Sequence, residues 1–235
     1  MPDMIFYDAI APLSSEKHGN LKFNPEPHYA FAKDARSVPL AAAEFPEAHK
    51  HYAIVFVNGG NEEKIPVVLL SDGSPNGVNL FVDAGGTWTS PYVPAFVRRY
   101  PFVPAAGEDD KTIVCIDERS DKFSTESGQP LFVPGEDQSP LVANVVNFLS
   151  VYQRDTLATQ ALAKRLVELD LLEASSVTLT RPDGEERLFD GFFVVSEERL
   201  KALTPDVTHE LVQTGVLGMI YAHILSLSNV ARLAT

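Results

Sequence analysis

The chain is poor in the residues that usually announce chemistry. A single cysteine, Cys115, stands in 235 residues. No disulfide can form within the chain, which fits a reducing compartment. Basic residues are also scarce: 19 Lys and Arg face 32 Asp and Glu, for a net charge of −13. Residues 1–110 hold 8 basic and 14 acidic side chains, and 111–235 hold 11 and 18, so the halves carry −6 and −7. The acidity is spread rather than gathered in a tail, and the longest basic cluster is Arg98-Arg99. Such a surface repels phosphate backbones, so no nucleic acid is expected as a partner. Long apolar runs are missing too. Val216–Leu227 is too short for the roughly 20 residues that span a bilayer, so a buried helix and no transmembrane segment are expected. The opening, MPDMIFYDAIAPL, has acids where a secretion signal has lysines, so a cytoplasmic location is expected. There is no G-x-S-x-G, no H-E-x-x-H and no Walker sequence.

What is present is a well-patterned globular chain, 45% hydrophobic and 22% charged, long enough to bury a real core. The 17 prolines cluster in the first 140 residues and favour short strands and turns there. Residues 1–50 read as short extended pieces broken by Pro12, Pro25, Pro27, Pro39 and Pro46. His51–Val57 and Ile65–Leu70 are apolar on both alternating faces, the pattern of buried strands. Val78–Asp83 reads as a third strand, and Ala84-Gly85-Gly86 turns it into Thr87–Tyr92 as a hairpin. Pro94 starts a helical turn that Pro101 ends. Thr112–Ile116 is a further strand, and Leu131–Val133 a short one.

The character changes at Ser139-Pro140, a good helix-opening pair. Apolar residues then recur at helical spacing from Leu141 to Leu172, giving two helices or one long bent one. Val177–Thr180 and Glu186–Phe189 flank the turn Arg181-Pro182-Asp183-Gly184, a second hairpin, which Phe192–Val195 continues. Ser196 caps a short helix, Glu197–Leu203, and Thr204-Pro205-Asp206 opens a final one reaching about Leu227. Strands, then helices, then a hairpin, then helices make an α+β protein. Its N-terminal part is mainly an antiparallel or mixed sheet, and its C-terminal part is helices plus a hairpin. A single domain over 1–235 is expected, with a change of layer near 139.

Candidate chemistry is thin. His49 and His51, at i and i+2 on a strand, would point the same way and meet one metal ion, with His18 and His28 as further donors. A solvated strand edge explains the pair more simply. Asp117, at the C-terminal end of a buried strand, has the place of a general base if burial raised its pKa, though an ion pair with Arg98, Arg99 or Arg119 or a solvated turn accounts for it better. Gly85-Gly86 reads as a turn, not a phosphate loop, because β-favouring residues follow it. Cys115 reads as buried and inert, and His223 as a hydrogen-bonded core or interface histidine. Trp88, Tyr92, Phe96, Tyr100 and Phe102 gather beside Arg98-Arg99. Most of that cluster reads as core, with Trp88 and one arginine facing outward. Trp88, Tyr92, Arg98, Arg99 and Tyr100 are also the residue types of an interface hot spot, so they form the candidate partner surface.

The segment Asn79–Val103, NLFVDAGGTWTSPYVPAFVRRYPFV, resembles the bacterial SapC family. So do SEKHG at 15–19, VCIDE at 114–118, GQPLF at 128–132, FDGFFVVSEERLKAL at 189–203 and GVLGMIYAHILSLSNVARL at 215–233. The resemblance covers nearly the whole chain. It implies a link by name to bacterial surface layers, and a genomic setting near outer-membrane nutrient uptake and flavin-dependent halogenases. It supplies no catalytic residues and no cofactor. A visible export signal, which an assembled surface layer would need, is missing. The reading it favours is a non-enzymatic accessory protein acting through an unidentified protein partner. A small-molecule- or metal-binding protein or enzyme, with a site drawn from His18, His49, His51 or Asp117, is the alternative. A homodimer with 206–227 as its seam is a third.

Overall fold

The computed structural model describes residues 5–60, 63–74, 77–106, 112–133, 135, 139–180 and 184–234. In chain order the first elements are β1 (Ile10–Pro12), α1 (Ser15–His18), β2 (Lys22–Phe23), β3 (Ser37–Pro39) and α2 (Phe45–Ala48). Then come β4 (Ile54–Asn58), β5 (Lys64–Leu69), α3 (Ala95–Arg98), β6 (Phe102–Ala106) and β7 (Thr112–Asp117). They are followed by β8 (Phe123–Ser124), β9 (Gln129–Pro130), α4 (Pro140–Glu168), β10 (Leu172–Thr180) and β11 (Glu186–Val195). The chain closes with α5 (Glu197–Lys201), α6 (Pro205–Gln213), α7 (Val216–Ser226) and a 3-10 helix, Leu227–Leu233. The class is α+β, with most strands in the N-terminal part and most helix in the C-terminal part.

The chain forms two compact units, each built from two stretches: Met1–His28 with Val97–Arg154, and Tyr29–Phe96 with Asp155–Thr235. The division falls at 28/29, 96/97 and 154/155.

The first unit holds an antiparallel sheet ordered β1-β7-β6 and a smaller one ordered β8-β2-β9. Pro12 and Pro104 lie on the two edge strands, where a missing N–H removes no ladder bond, while the central strand TIVCID has no proline. Its core joins Phe102, Val114, Ile116 and Leu131 to Val142 and Leu149 of α4. Phe23 stacks edge-on against Phe102 at 5.2 Å. Ser139 caps α4, its Oγ accepting from the Val142 amide at 3.2 Å.

The second unit holds a five-stranded antiparallel sheet ordered β10-β11-β4-β5-β3. Ile54, Val55 and Phe56 are all buried, as the two-sided apolar pattern requires. A core of Val55, Val67, Leu69, Leu179 and Phe192 closes against Val230 and Leu233. The expected C-terminal hairpin is β10–β11, with Val177 opposite Phe189 and Thr180 opposite Glu186. Residues 181–183 of its turn lie outside the described residues.

Four expectations need correction. Val78–Asp83 and Thr87–Tyr92 form no strands and share only the bridge Val82–Trp88. The reason is Asn79: its Oδ1 accepts from the Phe81 amide and its Nδ2 donates to Ala32, which bends the chain instead of extending it. Leu131–Val133 is not the short strand, which is β9 immediately before it. The final helix is two helices, parted at Gly215, whose φ of +75° ends the α6 ladder. The apolar helical run also extends past Leu227. Val216–Leu233 spans 18 residues with a mean hydropathy of 1.3, enough by length and composition to cross a membrane, and is 39% buried in this fold.

Candidate functional site

In the first unit, the SEKHG and VCIDE segments meet. His18 is buried, and its Nδ1 accepts from the Ser14 amide at 3.1 Å while Nε2 lies 2.8 Å from Glu118 Oε1. An acceptor at Nδ1 leaves the ring proton on Nε2, so the imidazole donates to the carboxylate. Lys17 Nζ lies 2.5 Å from the same oxygen. Hydrogen bonds from Lys17 and then His18 hold the Glu118 carboxyl below the usual carboxylate range. Both histidine nitrogens are engaged, so the group clamps α1 to the end of β7 and offers no free base.

Asp117 beside it is also occupied. Its oxygens accept from the amides of Asp8 (3.2 Å), Ala9 (2.9 Å) and Arg119 (3.2 Å), with the Tyr100 hydroxyl at 3.4 Å. The carboxylate therefore ties the N-terminal strand to β7. Burial pushes the Tyr100 hydroxyl up to about 12 and raises the Cys115 thiol, which keeps both protonated near neutrality.

The aromatic–arginine segment is divided between the two units. Trp88 and Tyr92 belong to the second unit, and Arg98, Arg99 and Tyr100 to the first. Trp88, Arg99 and Tyr100 are buried at 7%, 3% and 7% exposure, Tyr92 is half-buried, and Arg98 alone is exposed. Trp88 Nε1 donates to the Tyr52 hydroxyl at 2.8 Å, and the indole packs near Phe81 and Tyr29. The Tyr52 hydroxyl in turn donates to the Tyr92 carbonyl. The Tyr92 hydroxyl donates to Glu44 Oε1 at 2.6 Å, and the Ala95 amide reaches the same oxygen at 2.7 Å. The Ala41 amide reaches Glu44 Oε2 at 3.1 Å. This is a satisfied interior network centred on Glu44, which the sequence reading did not pick out. Arg99 lies over the rings of Tyr7 (5.8 Å) and Tyr152 (5.0 Å) inside the first unit, and Arg98 over Phe148 at 5.5 Å. The outward arginine is Arg98; Trp88 does not face outward.

The metal reading loses its geometric premise. His49 and His51 lie in the turn after α2 rather than on a strand, because β4 starts only at Ile54. His49 Nδ1 lies 3.2 Å from the Phe45 carbonyl, closing that turn. Among the described residues no three His, Cys, Asp or Glu side chains are placed to hold an ion.

The C-terminal helices have two contrasting sides. On one, His223, Ser226 and Asn229 recur every third residue and bond to backbone of 49–54 and 195. His223 Nδ1 lies 2.9 Å from the Ile54 carbonyl, and Nε2 accepts from the Val195 amide at 3.0 Å. Ser226 Oγ accepts from the Ile54 amide at 2.9 Å. Asn229 Nδ2 donates to the His49 and Tyr52 carbonyls at 2.7 and 3.2 Å. These side chains supply hydrogen bonds where β11 and β4 pair only at Phe193–Phe56. The expected hydrogen-bonded core histidine at 223 is present, and burial lowers its pKa to about 4. On the other side Val212, Tyr221 and Leu225 are exposed at 53%, 48% and 61%. Leu157 of α4 and Leu188 of β11 are exposed as well, at 67% and 66%.

The SapC family model matches residues 13–233, which reach into both units. No curated protein and no solved structure gives a match. The chain is thus a member of the SapC family.

Proposed function

We propose that this SapC-family chain is a non-enzymatic accessory protein of the cytoplasm that works by contact with a protein partner. The family's name and setting point to a partner from surface-layer assembly or outer-membrane nutrient uptake. One contrast carries the reading. The side chains able to do chemistry, His18, Asp117, Glu44 and His223, are held by backbone groups or side chains of their own chain. Large apolar side chains of the second unit, Leu157, Leu188, Val212, Tyr221 and Leu225, meanwhile stand in solvent. Exposed apolar groups mark a contact surface where they adjoin one another, as Tyr221 and Leu225 do one turn apart on α7.

The test is in-cell crosslinking in the source bacterium, followed by purification of the chain and quantitative mass spectrometry. A stoichiometric protein partner should be retained, and lost when Leu157→Glu and Leu188→Glu are combined in a chain with unchanged circular dichroism. Recovery of the same partners at the same yield from that variant would remove the surface. Substrate turnover by the purified wild type would remove the non-enzymatic reading.

A further inference from the structure

A sheet edge is a row of backbone N–H and C=O groups open to pairing, and proteins blunt it with proline, charge or brevity. The edges of this protein differ in that respect. Pro12 lies in β1, Pro104 in β6, Pro39 in β3 and Pro130 in β9, and β8 is two residues long. The other edge, β10, runs nine residues as LEASSVTLT, without proline, lysine or arginine. Among the described residues its strand partner is β11 alone.

The irregularity of this hairpin lies on the inner strand. Between the pairs Ser175–Phe192 and Val177–Phe189, one residue of β10 faces two of β11, Asp190 and Gly191. Gly191 takes a φ of +80° there, so the bulge belongs to β11 and the outer side of β10 keeps its pleat. Ala174, Ser176, Thr178 and Thr180 alternate along β10 and are all exposed.

The neighbouring side chains set the occupant. Glu186, Leu188 and Asp190 stand at alternate positions of β11 and are exposed, Leu188 at 66%. Leu188 lies opposite Thr178, and Glu186 opposite Thr180. Among the described residues of the hairpin the only cation is Arg187, and Glu185 lies 3.1 Å from it. A strand laid along β10 therefore meets a leucine between two carboxylates. The chemistry that fits is an extended backbone with an apolar side chain and a lysine or arginine two residues to each side. Long basic stems cross the small threonines to reach β11, two strand spacings of about 4.8 Å away. A second copy of β10 would bring Glu173 and no cation, and the net charge of −13 opposes it.

We propose that the outer edge of β10 takes up an extended, basic segment of a partner protein as a sixth strand beside the five of the second unit's sheet. Resting on the contact-protein reading, this names the kind of partner. Backbone pairing along β10 gives the affinity, and the acid–leucine–acid row of β11 selects the side chains.

The probe is a capped synthetic peptide, Thr-Lys-Val-Leu-Val-Lys-Thr, titrated into the full chain by calorimetry. It should bind with a Kd of about 100 μM or tighter, and more weakly as salt rises. Hydrogen exchange at saturation should slow within 172–180. Two further peptides keep every side chain but are N-methylated on the Lys and Leu residues or on the Val residues. At least one of them should bind about tenfold more weakly, because one set of amides faces β10. Glutamate in place of both lysines should have an effect of the same size, and so should Thr178→Lys in the protein, an exposed exchange that should leave circular dichroism unchanged. No binding at about 1 mM peptide overturns the proposal. So does equal binding of both N-methylated peptides, which would reduce the contact to charge, or protection that falls outside 172–180. A dimer of the peptide-free chain that Thr178→Lys disperses would give the edge to a second copy instead. A peptide that fails here leaves the broader contact reading to its own crosslinking test.

Discussion

The Nε2 of His223 accepts the amide proton of Val195 across 28 positions of sequence, at 3.0 Å, in a fully buried site. The bond requires the neutral ring with its proton on Nδ1, facing the Ile54 carbonyl. A protonated ring would set a second N–H against the Val195 N–H.

Acid should therefore loosen the second unit. The pKa of His223 is about 4 in the fold against an ordinary 6.5, with burial as the cause. A depressed folded pKa gives a contribution that is complete above about 6.5. Below it the unfolded chain takes up the proton first, and stability falls by up to about 1.4 kcal/mol per pH unit, roughly 3 kcal/mol in all by pH 4. Urea unfolding at stepped pH should show this loss in wild type and a flatter profile in His223→Ala. The variant should also lose about 2–4 kcal/mol at pH 7, by leaving the Val195 amide and Ile54 carbonyl unpaired. An unchanged profile would mean that the bond does not form in solution.

Trp88 and Arg98, neighbours in the same segment, should separate cleanly. Trp88→Ala removes a buried indole and its bond to Tyr52, and should cost about 3–5 kcal/mol, read from the denaturation midpoint. Arg98→Ala, at an exposed position, should change stability by less than about 1 kcal/mol. Equal, small effects from both would put Trp88 back on the surface.

The His18 clamp should behave as structure. His18→Phe keeps a ring but strands the Ser14 amide and should cost about 1–3 kcal/mol. Lys17→Ala should cost under about 1 kcal/mol, because the lysine is 62% exposed and its ion pair is solvated. Thermal melts of the two variants compare them directly, and a larger loss from Lys17→Ala would contradict the assignment.

Cys115 should react slowly with a thiol reagent in the native protein, at a rate that follows urea-induced opening. Burial both shields the sulfur and keeps it protonated. Prompt modification without unfolding would contradict its placement in the central strand of the first sheet.

The sequence was most legible where local chemistry and tertiary demand coincide. Ser139-Pro140 opens α4 by a cap that needs only neighbouring residues. The hairpin β10–β11 announces itself through its turn residues, and the uninterrupted apolar runs of β4, β5 and β7 announce burial. It was least legible where one side chain redirects the backbone over long range. Asn79 bonds to Ala32 and turns a strand-like NLFVD into a bend. Gly215 takes a positive φ and divides a helix whose apolar spacing alone looks continuous. The His49–His51 spacing misled because α2 ends immediately before it. The Glu44 network was invisible because Glu44 lies up to 51 residues from the groups it holds. His223, Ser226 and Asn229, at every third residue of an apolar helical run, are the mark that a buried polar seam leaves in the sequence.

The decisive question is whether this protein makes contact through exposed apolar side chains of its second unit, those of its last helices among them, or through the aromatic–arginine segment. A photoreactive residue placed in turn at Leu225, Tyr92 and Arg98, in the source bacterium, tests it most directly. Adducts to a protein partner should form from position 225, and far fewer from 92 and 98. Adducts gathered at 92 and 98, with none from 225, would contradict it.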